Sequence, residues 1–148
     1  MGAALNLADV LTATVRDFDM EKDGNFIYHS WGNSYREAAL GAWGDIPKAT
    51  YYKRVRLRID TLLKRGAELK IACDPDNQDI ILGWMCAESP VLHYVYVKEA
   101  YRKQGIALTL LNACGLSSTN VIPCSHWTPY AELVAAKRPR LLRRVDLF

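Results

Sequence analysis

The spacing of apolar and polar positions changes period several times along the chain, and each change marks an element. Ala8 to Phe18 mixes the two kinds, with Val10, Leu11, Thr12, Thr14 and Val15 supplying an apolar and β-branched run, and predicts a first strand. Met20 to Asn25 is polar and closes on Gly24-Asn25, which predicts a turn. In the following FIYHSWGNSYREAALGAW segment, Ser30 or Asn33 offers an N-cap for a short helix reaching Trp43, broken by Gly41, Gly44 and Pro47. Thr50 to Arg65 is the clearest early helix. Tyr52, Val55, Ile59, Leu62 and Leu63 recur at helical spacing, basic side chains fill the other faces, and Gly66 stands just past the end.

The period then falls to two. Leu69, Ile71 and Cys73 alternate with Lys70 and Ala72, Ile80 to Ala87 is nearly unbroken apolar sequence, and Val91 to Val97 is β-branched and aromatic. Turns at Asp74-Pro75-Asp76-Asn77 and Ser89-Pro90 join these runs into an antiparallel meander, with the apolar run at its centre. Helical spacing returns at Ile106, Ala107, Leu110, Leu111 and Cys114, and Gly115 closes it. A strand near Val121 to Ser125 follows that helix, so a right-handed crossover would set it parallel to Val91–Val97. Thr128-Pro129 opens another helix, stopped at Pro139, and Leu141 to Phe148 has room for one strand. The expected class is a mixed α/β (α+β) fold with about four helices flanking one sheet. No repeat, low-complexity tract or linker interrupts the pattern, so 1–148 is expected to form a single domain.

Composition narrows the function classes. Half the residues are hydrophobic, enough for a core and too many for a disordered chain. The longest apolar run is far short of a membrane span, and MGAALNLADV lacks the charged and apolar regions of an export signal. The expectation is a cytoplasmic protein with no membrane partner. Cys73, Cys86, Cys114 and Cys124 form no CxxC and no Cys/His cluster, so they read as reduced, buried thiols, and no metal site is indicated. Net charge is only +3, yet Lys53, Arg54, Arg56, Arg58, Lys64 and Arg65 form one basic cluster and Lys137, Arg138, Arg140, Arg143 and Arg144 another. These are solvated helix faces or surfaces that attract phosphate.

The chemistry concentrates in KEAYRKQGIALTLLNACG, Lys98 to Gly115. A helix N-terminus carries unpaired backbone N–H groups and partial positive charge, and a loop curling before it can aim those amides at a phosphate or pyrophosphate. Gly105 lets the main chain approach closely, Ala107 limits crowding, and Arg102 and Lys103 add charge.

The motif Arg102-Lys103-Gln104-Gly105-Ile106-Ala107 resembles the Q/R-x-x-G-x-G/A signature of the GNAT superfamily of N-acetyltransferases. Val95-Tyr96-Val97 resembles the fourth core strand of that family, Leu108 to Leu111 the helix after it, and Ile81-Leu82-Gly83-Trp84 the third strand. The order strand, two helices, three strands upstream is also similar. The small size and the FIYHSW segment resemble short GNAT-like proteins of phages. The resemblance implies a mixed central sheet, an antiparallel meander followed by a parallel, splayed strand pair, and acetyl-CoA as co-substrate. It implies that amides of Arg102, Lys103, Gln104, Gly105, Ile106 and Ala107 hold the pyrophosphate, while main-chain groups of Val95, Tyr96 and Val97 pair with the pantetheine arm.

Acetyl transfer to an amine needs a base, a donor for the developing oxyanion and an acid for the leaving thiolate. The resemblance implies a tyrosine on the helix after the splayed strand, for which Tyr130 is the candidate, although Ala135 stands closer to that slot. His93 and Tyr94, on the strand beside the thioester, His126 at the opposite mouth and Glu88 after the third strand are candidates for the base. His29 and Trp31 lie in the segment expected to roof an acceptor pocket for a small-molecule or protein amine. The C-terminus holds one strand where the family has a hairpin, which leaves completion by a second subunit, a homodimer, open. Two other readings stand beside the enzyme: a GNAT-shaped protein that binds CoA or a protein partner without turnover, and a nucleic-acid-binding module. The absence of a helix-turn-helix or zinc pattern weighs against the last.

Overall fold

A computed structural model describes residues 13–38, 45–116, 121–126, 128, 131, 136 and 142–144. The elements are β1 (Thr14–Asp17), α1 (Met20–Ala38), α2 (Lys48–Lys64), β2 (Glu68–Cys73), β3 (Ile81–Glu88), β4 (Val91–Val97), a 3-10 turn (Glu99–Tyr101), α3 (Ile106–Ala113), β5 (Ile122–Cys124) and β6 (Leu142–Arg144). The strands form one sheet in the order β1-β2-β3-β4-β5-β6. Strands β1 to β4 are antiparallel to their neighbours, whereas β4–β5 and β5–β6 are parallel. The expected meander, the crossover to a parallel strand and the single last strand are therefore present.

One element differs from the sequence expectation. Met20 to Asn25 is not a turn but the start of α1, which runs unbroken to Ala38. Local polar chemistry explains it. Asp19 precedes the helix and its Oδ1 accepts the Glu21 N–H at 3.0 Å, while Asp23 Oδ2 accepts the Asp19 N–H at 2.9 Å. Arg16 of β1 then pairs both oxygens of the buried Asp23 at 2.8 Å. Burial pushes the Asp23 carboxyl up, but the Arg16 and Asp19 hydrogen bonds outweigh it and hold the group below its ordinary value. Asp19 through Asn25 thus reads as a loop by composition and folds as a capped helix end. Ser30, expected as a cap, sits mid-helix, donating to the Phe26 carbonyl at 2.6 Å and accepting from Trp84 Nε1 at 2.9 Å. The expected end near Trp43 lies outside the described residues.

Helix α2 matches its expected span closely, with Gly66 in a left-handed conformation (φ 98°) after it. Its buried residues are Tyr51, Ile59 and Leu62, so the apolar stripe is rotated slightly from the expected one that began at Tyr52. The sheet has a core on each face. Ile27, Trp31, Ile59, Leu62, Ile71, Trp84 and Tyr94 pack with α1 and α2 on one side. Leu82, Met85, Leu92, Ile106, Leu110, Ile122 and Cys124 pack with α3 on the other. Strand β3 is buried on both faces, which is why its sequence is continuously apolar. All four cysteines are free and buried, and burial pushes the Cys86 and Cys124 thiols up to about 12. They are inert as nucleophiles.

Candidate active site

Strand β4 organises two clusters of functional groups, one at each end. At its C-terminal end, Lys98 donates its backbone N–H to the Leu82 carbonyl at 2.9 Å. In an antiparallel ladder alternate residues turn their main-chain groups to opposite edges, so Val97 and Val95 face away from β3. On that side β5 is in register with β4 only at Leu92–Cys124. The two parallel strands part beyond this point, and among the described residues no strand pairs with the β4 edge past Leu92. The Val97 carbonyl on that edge accepts from Arg102 Nε at 2.8 Å.

The loop after β4 follows directly from the same end of the strand. Lys103 and Gly105 both have positive φ, 65° and 82°. A left-handed residue next to a right-handed one can turn neighbouring N–H groups onto one concave side. Gly105 is the N-cap of α3, a Cβ on it would touch nothing, and its left-handed backbone, not crowding, is what calls for glycine. The first bond into the helix comes from the Thr109 N–H to the Gly105 carbonyl at 3.0 Å. Among the described residues no acceptor meets the N–H groups of Gln104, Gly105, Ile106 or Ala107. Ile106 is buried and anchors the helix start, while Arg102, Lys103 and Gln104 are exposed. The six motif residues thus lie together at the start of α3, where backbone N–H groups are left without partners, and Val95, Tyr96 and Val97 lead up to them.

The other end is built from side chains. The register between β3 and β4 slips at Cys86/Ala87, passing from Tyr94 to Leu92 and leaving His93 as the extra residue of a bulge. A bulge re-aims the side chain it carries. His93, 1% exposed, reaches Glu88 Oε1 through Nε2 at 2.6 Å and Ser125 Oγ through Nδ1 at 2.6 Å. Arg65 holds Glu88 from outside, Nη2 to Oε1 at 2.6 Å and Nε to both oxygens at 3.0 Å. Ser125 Oγ also lies 2.8 Å from His126 Nδ1, and the Ser125 N–H donates to the Leu92 carbonyl at 3.0 Å, where the strands part. The His126 ring meets Trp31, Tyr35 and Tyr94 edge-on, at centroid distances of 5.5, 5.3 and 6.3 Å. Trp31 in turn stacks on Tyr94 at 5.0 Å.

The hydrogens in this chain of groups follow from its outer end. Arg65 hydrogen bonds hold the Glu88 carboxyl below its ordinary value, against burial, and His93 adds to the effect. An ionised carboxylate only accepts, so His93 Nε2 carries a hydrogen. Burial lowers the His93 pKa, with Glu88 partly offsetting it, so the ring is neutral at neutral pH and Nδ1 accepts the Ser125 hydroxyl hydrogen. Ser125 Oγ shares its second hydrogen bond with His126 Nδ1. Burial pushes His126 down to about 4; the His93 and Arg58 charges act in the same direction, and a hydrogen bond to the His93 carbonyl opposes them.

His93 and His126 are therefore brought together, their centroids 6.3 Å apart, and Glu88 joins them. Tyr130 lies outside the described residues. The Thr128 hydroxyl accepts the Ala131 N–H at 3.1 Å, as expected of a helix cap. His29 is exposed and bonds Asn33, apart from this cluster. Sequence reasoning missed Ser125 and Arg65. Neither sits in a motif, and only the register of β4 against β3 and β5 brings them to His93.

No protein-family model matches the chain, and no curated protein matches it in sequence. Solved structures do match in three dimensions. A GCN5-related N-acetyltransferase from Rhodopseudomonas palustris superposes with a TM-score of 0.60 over 87% of this chain and 82% of that one, at 17% identity. The chain has the GNAT fold. The PaiA N-acetyltransferase of Thermoplasma acidophilum, solved in complex with coenzyme A, matches with a TM-score of 0.50 over 90% of this chain and 79% of that one, at 14% identity. The GNAT fold expected from the resemblance is borne out.

Proposed function

We propose that the protein transfers an acetyl group from acetyl-CoA to an amine. The observation that carries this reading is the open edge of β4 between an amide cradle and a basic side-chain cluster. From His93 to Val97 the strand spans roughly 13 Å at about 3.3 Å per residue. That length of strand suits part of an extended pantetheine arm running from a diphosphate near Gly105 toward a thioester near Ser125. Main-chain groups of Val95 and Val97 would pair with the arm as a further strand does, a recognition mode indifferent to side-chain identity. The GNAT fold, and the coenzyme A complex of the Thermoplasma protein that shares it, support the same co-substrate.

The acceptor amine attacks the thioester carbonyl and must lose a proton. His93 is the base, reached through the Ser125 hydroxyl: the proton passes to Ser125 Oγ as its own hydrogen moves to His93 Nδ1. Glu88 stabilises the resulting imidazolium. His126, neutral above about pH 4, keeps the Ser125 oxygen oriented without adding charge beside the incoming amine. Holding the two substrates against one edge supplies much of the acceleration.

A thermal-shift titration with acetyl-CoA, followed by free-thiol detection across a panel of amines, tests this. Stabilisation that saturates, with amine-dependent thiol release, is expected. No stabilisation by acetyl-CoA or CoA overturns the reading, and stabilisation without thiol release for any amine replaces it with a binding protein that does not turn over.

A further inference from the structure

Beyond amine acetylation, we infer that Ser125, His93 and Glu88 form a nucleophilic triad that takes the acyl group onto the Ser125 oxygen. The inference deepens the proposed function, since it rests on the same cleft, but the triad geometry stands apart from any coenzyme. A nucleophilic serine requires a base within hydrogen-bond reach and a third group that fixes the base's orientation and tautomer. Both links are present at 2.6 Å, Ser125 Oγ to His93 Nδ1 and His93 Nε2 to Glu88 Oε1. The ring is used in the opposite sense to the familiar arrangement, with Nε2 toward the carboxylate, and either sense leaves one nitrogen hydrogen-bonded to the acid and the other to the hydroxyl. Arg65 clamps the acid in place through both its oxygens.

The surroundings suit the role. His93 is sealed in the bulge of β4, whereas Ser125 is only partly buried and stands where β5 ends and leaves β4. His126 Nδ1, 2.8 Å from the same oxygen, holds it in a second hydrogen bond. The buried cysteines offer no competing nucleophile, because burial raises the thiol pKa at all four.

The chemistry balances within the groups named. The Ser125 Oγ–C bond forms as the thioester C–S bond breaks; the hydroxyl proton goes to His93 Nδ1 and then to the departing thiolate, giving free thiol and acetyl-Ser125. In the second half, with no amine bound, His93 takes a proton from water as the water oxygen bonds to the acyl carbon. The Oγ–C bond breaks, the proton on His93 returns to Ser125 Oγ, and acetic acid leaves and ionises in solvent. The protein is thereby also a slow acetyl-CoA hydrolase when no amine is present.

Two probes test this on the full chain. p-Nitrophenyl acetate needs no coenzyme site and should give a burst of nitrophenolate stoichiometric with protein, with one acetyl group added to the peptide carrying Ser125. Acetyl-CoA without amine should give the same adduct. Ser125→Ala should abolish both the adduct and the burst, and Glu88→Gln, which keeps a hydrogen-bond acceptor on His93, should slow the burst by about 10-fold. An adduct on another residue, or a burst unchanged in Ser125→Ala, overturns the inference. If acetyl-CoA stabilises the protein and amines are acetylated but neither probe labels Ser125, the triad fails while the transferase stands. If p-nitrophenyl acetate labels Ser125 and acetyl-CoA does not bind, the triad stands and the transferase reading fails.

Discussion

The two ends of β4 present opposite kinds of site. At Val97 to Ala107 the groups are main-chain amides, and the side chains of Arg102, Lys103 and Gln104 beside them face solvent. At His93 they are side chains drawn from the end of α2, from β3, from β4 and from the residues after β5. The first needs one backbone conformation, which Gly105 permits. The second needs a bulge, two strand registers and a salt bridge to agree. A site made of backbone tolerates substitution of its side chains and is sensitive to conformation. A site made of side chains is the reverse.

That contrast is open to attack from either end. The largest effect is expected from His93→Gln, which keeps the size and removes the base: amine-dependent turnover should fall by about 100-fold while acetyl-CoA affinity, measured by calorimetry, stays within about 2-fold. Equal losses in both would mean that the two ends are not separable.

Acid stability, compared between wild type and a His126 variant, isolates the side-chain end. Native His126 holds off protonation until about pH 4, whereas an unfolded histidine takes up a proton near 6.5. Over that window the unfolded state binds more protons, so stability falls as pH falls. Between pH 6 and 4.5 the cost is about 2 kcal/mol, and urea unfolding of His126→Leu should show a shallower decline than wild type. Parallel curves would contradict the burial assigned to this ring.

Gly105→Val should strike only the backbone end. A β-branched residue at φ 82° is strained by about 1–2 kcal/mol, so the turn relaxes and acetyl-CoA affinity should drop by about 10-fold with saturated turnover nearly unchanged. The smallest effect is expected for Arg102→Gln. Its side chain is exposed and spends Nε on the Val97 carbonyl, so affinity should weaken by about 3-fold and lose some of its salt dependence.

The same contrast explains what could be read from the sequence. Strands β2 to β4, helix α2 and the Gly105 turn were legible because each is set by neighbours within a few residues: alternation, helical spacing, a glycine after a helix. The GNAT resemblance came from that local stretch as well. The start of α1 was not legible, because Met20 to Asn25 is polar and becomes helical only once Asp19 caps it and Arg16 of β1 neutralises the buried Asp23. His93, His126 and Glu88 could be named as ionisable candidates but not joined. Nothing in their spacing anticipates the bulge that turns His93 toward Ser125; Ser125 carries no local signal, and Arg65 reads only as one of a basic cluster.

The central claim is that the amides around Gly105 and the free edge of β4 hold the coenzyme. Backbone amide chemical shifts of the isotope-labelled protein, followed during titration with acetyl-CoA, read those groups one by one. Saturable shifts at Gln104 to Ala107, together with Val95 and Val97, are predicted, with the amides of β2 left unmoved. Saturable binding that leaves the 104–107 amides unchanged would contradict the account.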